Sequence, residues 1–512
     1  MRPARAVIVS LAALAVSAMP ALAQEGGNTD EMDAALAAGW KASFTCSDLF
    51  NAGQSMAEIE QNDLSGIYPD YQRAYDKLPG AQVNTLQKTV SVTYSATMPP
   101  RIAAWRPGFG CTQLPIGADS SQIAFLPHFA SWPAAPAADR GSAIGSNVKI
   151  QLRTEEAERL ELPVSSAFDE RTYGNGTRTS AVLVVRDGQV VAERYALGVD
   201  HETPQRTWSV GKSIAATVLG AARRNGIIDI DYPAVVDAWN NGADPRRNIT
   251  IRNLMHMASG LDSGERGSRT DRIYFGGGRV VDQAATKVLE AAPGTRFKYA
   301  NDDTLIAMRA LREAMKDDDA FHRFPYEKVL NKIGAAHTTM EIDWNGDFIA
   351  SSQVWSTARD LARVGQLYLQ DGMWGNERLL PEGWAKFVRT PAPAQPATGP
   401  GYGAQFWLMT DAPGVPSDVY YMAGNRGQYV VIAPSMNAVI VRRGYDANGG
   451  AGFEINDFTR DVLLALQAAD DERAWQRSQA ELETQMENMT PKERAKFLAD
   501  QQAAQAMQAQ PN

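Results

Sequence analysis

Ser209 and Lys212 stand three positions apart in "RTWSVGKSIAATVLGAARRNG" (206–226), where a polar loop turns into an alanine-rich run with helical spacing. Positions i and i+3 share a helix face, so the Lys212 amine can reach the Ser209 hydroxyl. A helix N-terminus also brings free backbone N–H groups and a positive dipole end beside the serine, which favours an oxyanion and lowers a lysine pKa. A neutral lysine can take the serine proton, the activation that a hydroxyl nucleophile needs near neutral pH. The spacing alone does not decide the matter, because a capping serine followed by a solvated lysine has the same pattern. Ser-x-x-Lys also recurs at Ser146 and Lys149 in "SNVKIQL", a polar stretch without periodicity, whereas the first copy opens a helix expected to end near Gly226.

Tyr-x-Asn likewise occurs twice, at Tyr173 with Asn175 and at Tyr299 with Asn301. The second copy, in "PGTRFKYANDDTLIAMRAL", falls between a Pro-Gly turn and a helix start, where a rigid loop can display a side chain. Near two cations the Tyr299 phenol would titrate well below its reference value of about 10 and serve as a base or proton relay beside the lysine. A half-buried core tyrosine fits the same residues. In "YYMAGNRGQYVVIAP", Gly424 and Gly427 flank Asn425 and Arg426 ahead of a strand. Glycine there would let a substrate backbone approach the strand edge, and a plain turn explains it as well. There is no G-x-S-x-G elbow, HExxH or P-loop, and the histidines at 128, 201, 256, 322 and 337 lack metal-ligand spacing. A Ser-His-Asp hydrolase therefore has little support, and no cofactor or metal is expected.

These residues need a frame. In "TSAVLVVRDGQVVAERYALG" two β-branched runs flank Asp187-Gly188, the signature of a tight hairpin. Helical patterns then dominate from 209 to about 390, as in "TKVLEAA", "DTLIAMRALREAM" and "TARDLARVGQLYLQDG". Strand-like runs return in "GAQFWLM", "VYYMAG", "QYVVIAP" and "NAVIVRRG", followed by "EINDFTRDVLLALQAA", an amphipathic helix. Strands at both ends with helices between them predict an antiparallel sheet assembled from distant parts of the chain, flanked by helices and carrying a helical insert. Residues 24–150 mix short helical patterns with the strand-like "TVSVTYSATM" (89–98) and Pro/Gly-rich pieces, of which "ASWPAAPAADRG" has linker composition. Residues 469–512, rich in Gln, Glu, Ala and Met, are expected to be a polar helix or a frayed tail.

The 512 residues, 44% hydrophobic and 21% charged, fit a globular chain of two or three domains. A net charge of −9 and no dense Lys/Arg run argue against a nucleic-acid partner. Residues 1–23 carry Arg2 and Arg5, an apolar run of roughly 15 residues and Ala21-Leu22-Ala23, the pattern of a cleaved signal peptide; the run is short of the about 20 residues a membrane span takes. The expected location is the periplasm or outside the cell. Cys46 and Cys111, the two cysteines, would then meet an oxidising compartment. A mutual disulfide bracing the N-terminal region is expected, with two separate buried thiols as the alternative.

The order of these elements, with "LMHMASGLDSGE" (254–265) and "PGTRFKYANDDTLIA" (293–307), resembles the penicillin-recognising serine hydrolases. It is most similar to the class C β-lactamase-like esterases and peptidases and the 6-aminohexanoate-dimer hydrolases, over residues 151–468. The N-terminal block with "RPGFGC" resembles the leader region of exported members. The resemblance implies a β-lactamase/transpeptidase-like α/β fold and a serine hydrolase that cleaves small esters or linear amides. Ser209 would be the acylated nucleophile, Lys212 its activator, and Tyr299 the group that passes a proton to the leaving group. Asn301 would orient the substrate, with Asn425 and Gly427 beside it, and the N–H groups of Ser209 and Gln428 would form the oxyanion hole. β-Lactamase or D-aminopeptidase activity, and a non-catalytic protein that binds peptidoglycan or a partner on the same fold, are the alternatives. One departure demotes antibiotic hydrolysis: Asn425-Arg426-Gly427 stands where the penicillin-binding families carry Lys-Thr-Gly, with Arg426 as a partial substitute for the lysine charge.

Overall fold

The computed structural model describes residues 29–129, 154–262 and 270–498. The expected signal peptide, the "ASWPAAPAADRG" stretch and the second Ser-x-x-Lys lie outside these residues.

Helix α1 (Thr29–Phe50) leads into a four-stranded antiparallel sheet of β1 (Gln82–Asn84), β2 (Thr89–Val92), β3 (Arg101–Arg106) and β4 (Gly110–Gln113). Cys46 near the end of α1 is bonded to Cys111 in β4, closing 65 residues. The bridged block packs against the rest of the chain beside Ser209. The α1 rings of Trp40 and Phe44 lie 5.9 and 5.8 Å from that of Trp208, the residue before Ser209.

The main sheet begins after α2 (Thr154–Ser166) with β5 (Thr179–Arg186) and β6 (Gln189–Tyr195). Asp187 and Gly188 between them have φ of 52° and 72°, the left-handed pair that a two-residue hairpin turn demands. Three helices then matter to the site: α3 (Val210–Arg224), α4 (Asn301–Met315) and α5 (Ala358–Leu369). The chain returns to the sheet through β7 (Trp407–Leu408), β8 (Tyr420–Gly424), β9 (Gln428–Ala433) and β10 (Ala438–Gly444), and closes with α6 (Ile455–Glu487). The strand order is β7-β8-β9-β10-β5-β6, with every pair antiparallel.

Strand β5 is apolar from Ala181 to Val185 because both of its faces are covered. Ala181, Leu183 and Val185 point into a core shared with α3, α4 and α5, while Val182 and Val184 face Leu160 and Val164 of α2 and Phe458 and Val462 of α6. Such period-2 burial on both sides is what a central strand requires. Helix α5 comes close to the sheet at Gly365, where a Cβ would meet the Val439 side chain.

Two expectations are corrected. "TKVLEAA" (286–292) is not helical: Leu289 bridges Leu261, and the N–H groups of Glu290 and Ala291 donate to Gly260 O. Long-range pairing at Gly260, which the Ala291 carbonyl approaches too closely for any side chain, overrides the local helical spacing. "GAQFWLM" contributes only Trp407–Leu408 to the sheet. Among the described residues no helix is long and apolar enough to cross a membrane.

Because the disulfide closes 65 residues, its chain-entropy contribution is on the order of 4 kcal/mol. The Cys46→Ala/Cys111→Ala double variant should lose stability of that order in urea denaturation, and a reducing agent should produce the same loss in the wild type but none in the variant.

Candidate active site

Ser209 immediately precedes α3, and its side chain makes no capping bond, so the bland role open to it in sequence is unused. The residue before it, Trp208, is held at φ 50°, a left-handed conformation that costs a bulky residue energy and recurs at functional sites. Lys212, one turn into α3, is almost wholly buried at 1% exposure. Its Nζ lies 2.9 Å from Ser209 Oγ, 2.6 Å from Asn301 Oδ1 and 2.8 Å from Ser351 O. Asn301 and Ser351 present oxygens that can only accept. A neutral amine spends its two hydrogens on them and turns its lone pair to Ser209, the one neighbour able to donate. Burial favours that neutral form and lowers the Lys212 pKa to about 7, with the Asp302 carboxylate opposing.

The other half of the constellation comes from the start of α4. Asn301 is its first residue, and Tyr299 stands just ahead, its ring 6.0 Å from Tyr402 and 5.2 Å from Trp407. Lys212 Nζ sits 5.1 Å from the Tyr299 ring centroid. The expectation of an acidified phenol is corrected: burial pushes Tyr299 up to about 12, against an opposing hydrogen bond with Ser209. Burial outweighs the Lys212 amine beside it, so the phenol stays protonated at neutral pH. Asp302 is raised by burial to about 6. The other Tyr-x-Asn is structural: Tyr173 donates to Asp461 Oδ2 at 2.9 Å and packs on Phe453 and Phe458, on the opposite face of the sheet.

The third element reaches the site three residues earlier in the chain than its sequence suggested. Gly424 ends β8 against the start of α3: a Cβ there would run into Thr207 O and lie 3.1 Å from Ser209 N. Gly424 and Asn425 line the cleft; Gly427 and Gln428 do not. Gly427 is the left-handed corner of the β8–β9 turn, and any side chain on it would strike the Arg442–Asp446 ion pair. The Gln428 amide donates to Arg426 O and Gly444 O and accepts from Arg443 Nε, inside the sheet. Arg426 is buried away from the cleft, so it cannot stand in for a substrate-facing lysine.

The cleft above Ser209 has a volume of about 630 Å³ and is walled by Tyr68, Trp208, Tyr274, Phe297, Trp407 and Tyr421. None of these aromatic residues, nor Ser351, was legible as a site residue, because each is a single residue without a motif. Only Gly211 carried a signal: a Cβ there would lie 2.7 Å from Ala350 O, so this glycine lets the loop bearing the Ser351 carbonyl approach Lys212.

A Beta-lactamase family profile matches residues 164–443, more than half of the chain. The chain belongs to the beta-lactamase family. It is a class C-like serine hydrolase. The chain is 26% identical over 293 residues to the 6-aminohexanoate-dimer hydrolase of Paenarthrobacter ureafaciens, across 52% of this chain and 72% of that protein. Its fold resembles that of a Bacillus anthracis protein provisionally named a 6-aminohexanoate-dimer hydrolase, at TM-score 0.50 and 21% identity, covering 61% of this chain and 82% of the other. A family VIII carboxylesterase aligns at TM-score 0.48 and 14% identity, over 61% and 97% of the two chains. The β-lactamase/transpeptidase-like α/β fold expected from the motifs is the fold observed.

Gly424→Ala should push β8 off the Thr207 carbonyl and widen the gap beside Ser209 N. A displacement of about 1 Å there is expected to cost on the order of 100-fold in kcat, read with a p-nitrophenyl ester, while circular dichroism shows the fold retained.

Proposed function

We propose that the protein is an exported hydrolase that cleaves small esters or linear amides through an acyl-enzyme on Ser209. The observation that carries this reading is the Lys212 amine, buried and flanked by two obligate acceptors, with the Ser209 hydroxyl 2.9 Å away. Ser209 Oγ attacks the substrate carbonyl carbon as its proton passes to Lys212 Nζ. The tetrahedral oxyanion is held by the Ser209 N–H and by the backbone of Gly424–Asn425, in place of Gln428. Collapse breaks the carbonyl bond to oxygen or nitrogen. Tyr299, protonated at neutral pH, gives the leaving group its proton and takes one from Lys212 in return. Water then attacks the acyl carbon as Lys212 takes its proton, and Lys212 returns that proton to Ser209 Oγ as the acyl–oxygen bond breaks. In this scheme Asn301 orients Lys212 at least as much as it orients substrate.

The substrate class rests on the cleft wall. Its aromatic side chains suit an uncharged acyl or leaving group, and Arg426, facing away, leaves a penicillin-type carboxylate without a cation from that position. The 6-aminohexanoate-dimer hydrolase relative supports a linear amide as the second substrate class. The signal-like residues 1–23 and the Cys46–Cys111 bridge support export.

Ser209→Ala should abolish both turnover and labelling by a fluorophosphonate, in a panel of nitrophenyl esters, 6-aminohexanoate dimer, D-amino-acid amides and nitrocefin. Labelling that survives in the variant rejects the assignment. The base must be neutral to act, so kcat/KM for an uncharged ester should be low in acid, rise through about pH 7 and level off above it. A profile flat from pH 5 to about 9 would remove Lys212 from the role of base.

A further inference from the structure

The family match begins at residue 164, yet the segment Asn62–Tyr68 lines the cleft at Tyr68 and holds Arg426 behind it. On one side the Tyr68 ring lines the cleft, 6.1 Å from the ring of Trp208, the left-handed residue that presents Ser209. Behind the cleft is Arg426, itself left-handed at φ 59° and directly after the lining residue Asn425. Its guanidinium donates to five main-chain oxygens. Nη2 donates to Asn62 O at 2.9 Å, Ser65 O at 2.8 Å and Tyr445 O at 3.3 Å, Nη1 to Asp63 O at 3.0 Å, and Nε to Asp446 O at 3.1 Å. The Asp63 carboxylate adds a charge 3.8 Å from Nη1.

A second route reaches Asn425 itself. The Asn448 backbone N–H and side-chain amide both donate to Gly66 O, at 3.1 and 3.0 Å, and its Oδ1 accepts from Asn425 Nδ2. The segment is anchored in turn. Arg178 holds Gln61 O, Ser65 Oγ and Asn62 Oδ1, while Trp40 of α1 donates to Asp63 O.

We infer that Asn62–Tyr68 is a working part of the active site, a brace that holds the two backbone strips of the oxyanion hole in register through Trp208 and Arg426. The inference rests on the Ser209 reading above. The physical reason is that oxyanion donors act only if they are aimed before the reaction begins. Both strips are followed or preceded by a non-glycine residue in a costly conformation, which relaxes unless surrounding contacts over-determine it. A planar fork that satisfies five carbonyls at once is such a contact, and an ammonium, with three hydrogens on a flexible stem, cannot reproduce it. Arg426 is thus a positioning residue rather than a catalytic one.

The test uses Arg426→Lys, Arg426→Met and Asn448→Ala, with active sites counted by fluorophosphonate so that unfolded enzyme is not scored. Per labelled site, kcat should fall about 10- to 100-fold in the Arg426 variants and by a smaller factor in Asn448→Ala. KM should stay within about twofold and the limb near pH 7 should not move, since Lys212 is untouched. Asn448 is half-buried at the surface, so that variant gives a reading even if both Arg426 variants fail to fold. Wild-type kcat per labelled site in the variants that fold, or a rise in KM alone, overturns the inference. If the wild type itself is not labelled at Ser209, the Ser209 reading falls first; labelling with unchanged kcat sinks only the brace.

Discussion

A lysine amine taken out of water is the constraint on which the site depends. An unpaired charge in that position would cost several kcal/mol, so the protein holds Lys212 near neutrality and surrounds it with oxygens rather than with a carboxylate partner. Those oxygens come from three parts of the chain: Ser209 at the start of α3, Asn301 at the start of α4, and Ser351 on the loop that Gly211 admits. The nearest negative charge, Asp302, is itself raised toward neutrality by burial. It opposes the loss of the Lys212 proton without reversing it.

The sheet gives these helix starts a common reference. Helices α3, α4 and α5 share the core on one face, and β8 ends at Gly424 beside Thr207 and Ser209. The edge of β8 toward the cleft is paired with β7 only at Tyr420 and Tyr421, so the chain from Met422 to Asn425 is not covered by that neighbour. The same geometry explains the glycine at 424, because a strand can approach a helix N-terminus this closely only without a side chain. The N-terminal block then covers the back of the site through Trp40, Phe44 and Asp63. Its disulfide therefore steadies more than its own small sheet.

Much of the fold was legible because its signals are local. The Asp187-Gly188 hairpin, α3, α4, α5 and strands β8 to β10 all lie where alternation, helical spacing and turn chemistry put them. "TKVLEAA" failed for the opposite reason: its helical spacing lost to pairing with a segment about 30 residues away. The third motif was read three residues too late. "GNRG" contains two glycines of different purpose, Gly424 for close approach to α3 and Gly427 for a left-handed corner, and spacing alone does not tell them apart.

What the sequence determined by itself was that Ser209 and Lys212 share a helix face and that Tyr299 and Asn301 stand at a helix start, since i to i+3 geometry and a turn before a helix are properties of a few neighbouring residues. Tertiary structure decided the protonation states and the direction of every long side chain. Lys212 is depressed and Tyr299 raised by the depth at which they are buried. Arg426 turns inward because Asn62, Asp63 and Ser65, some 360 residues earlier, offer it carbonyl oxygens. Burial and long-range hydrogen bonding belong to the assembled molecule, and no window of sequence contains them.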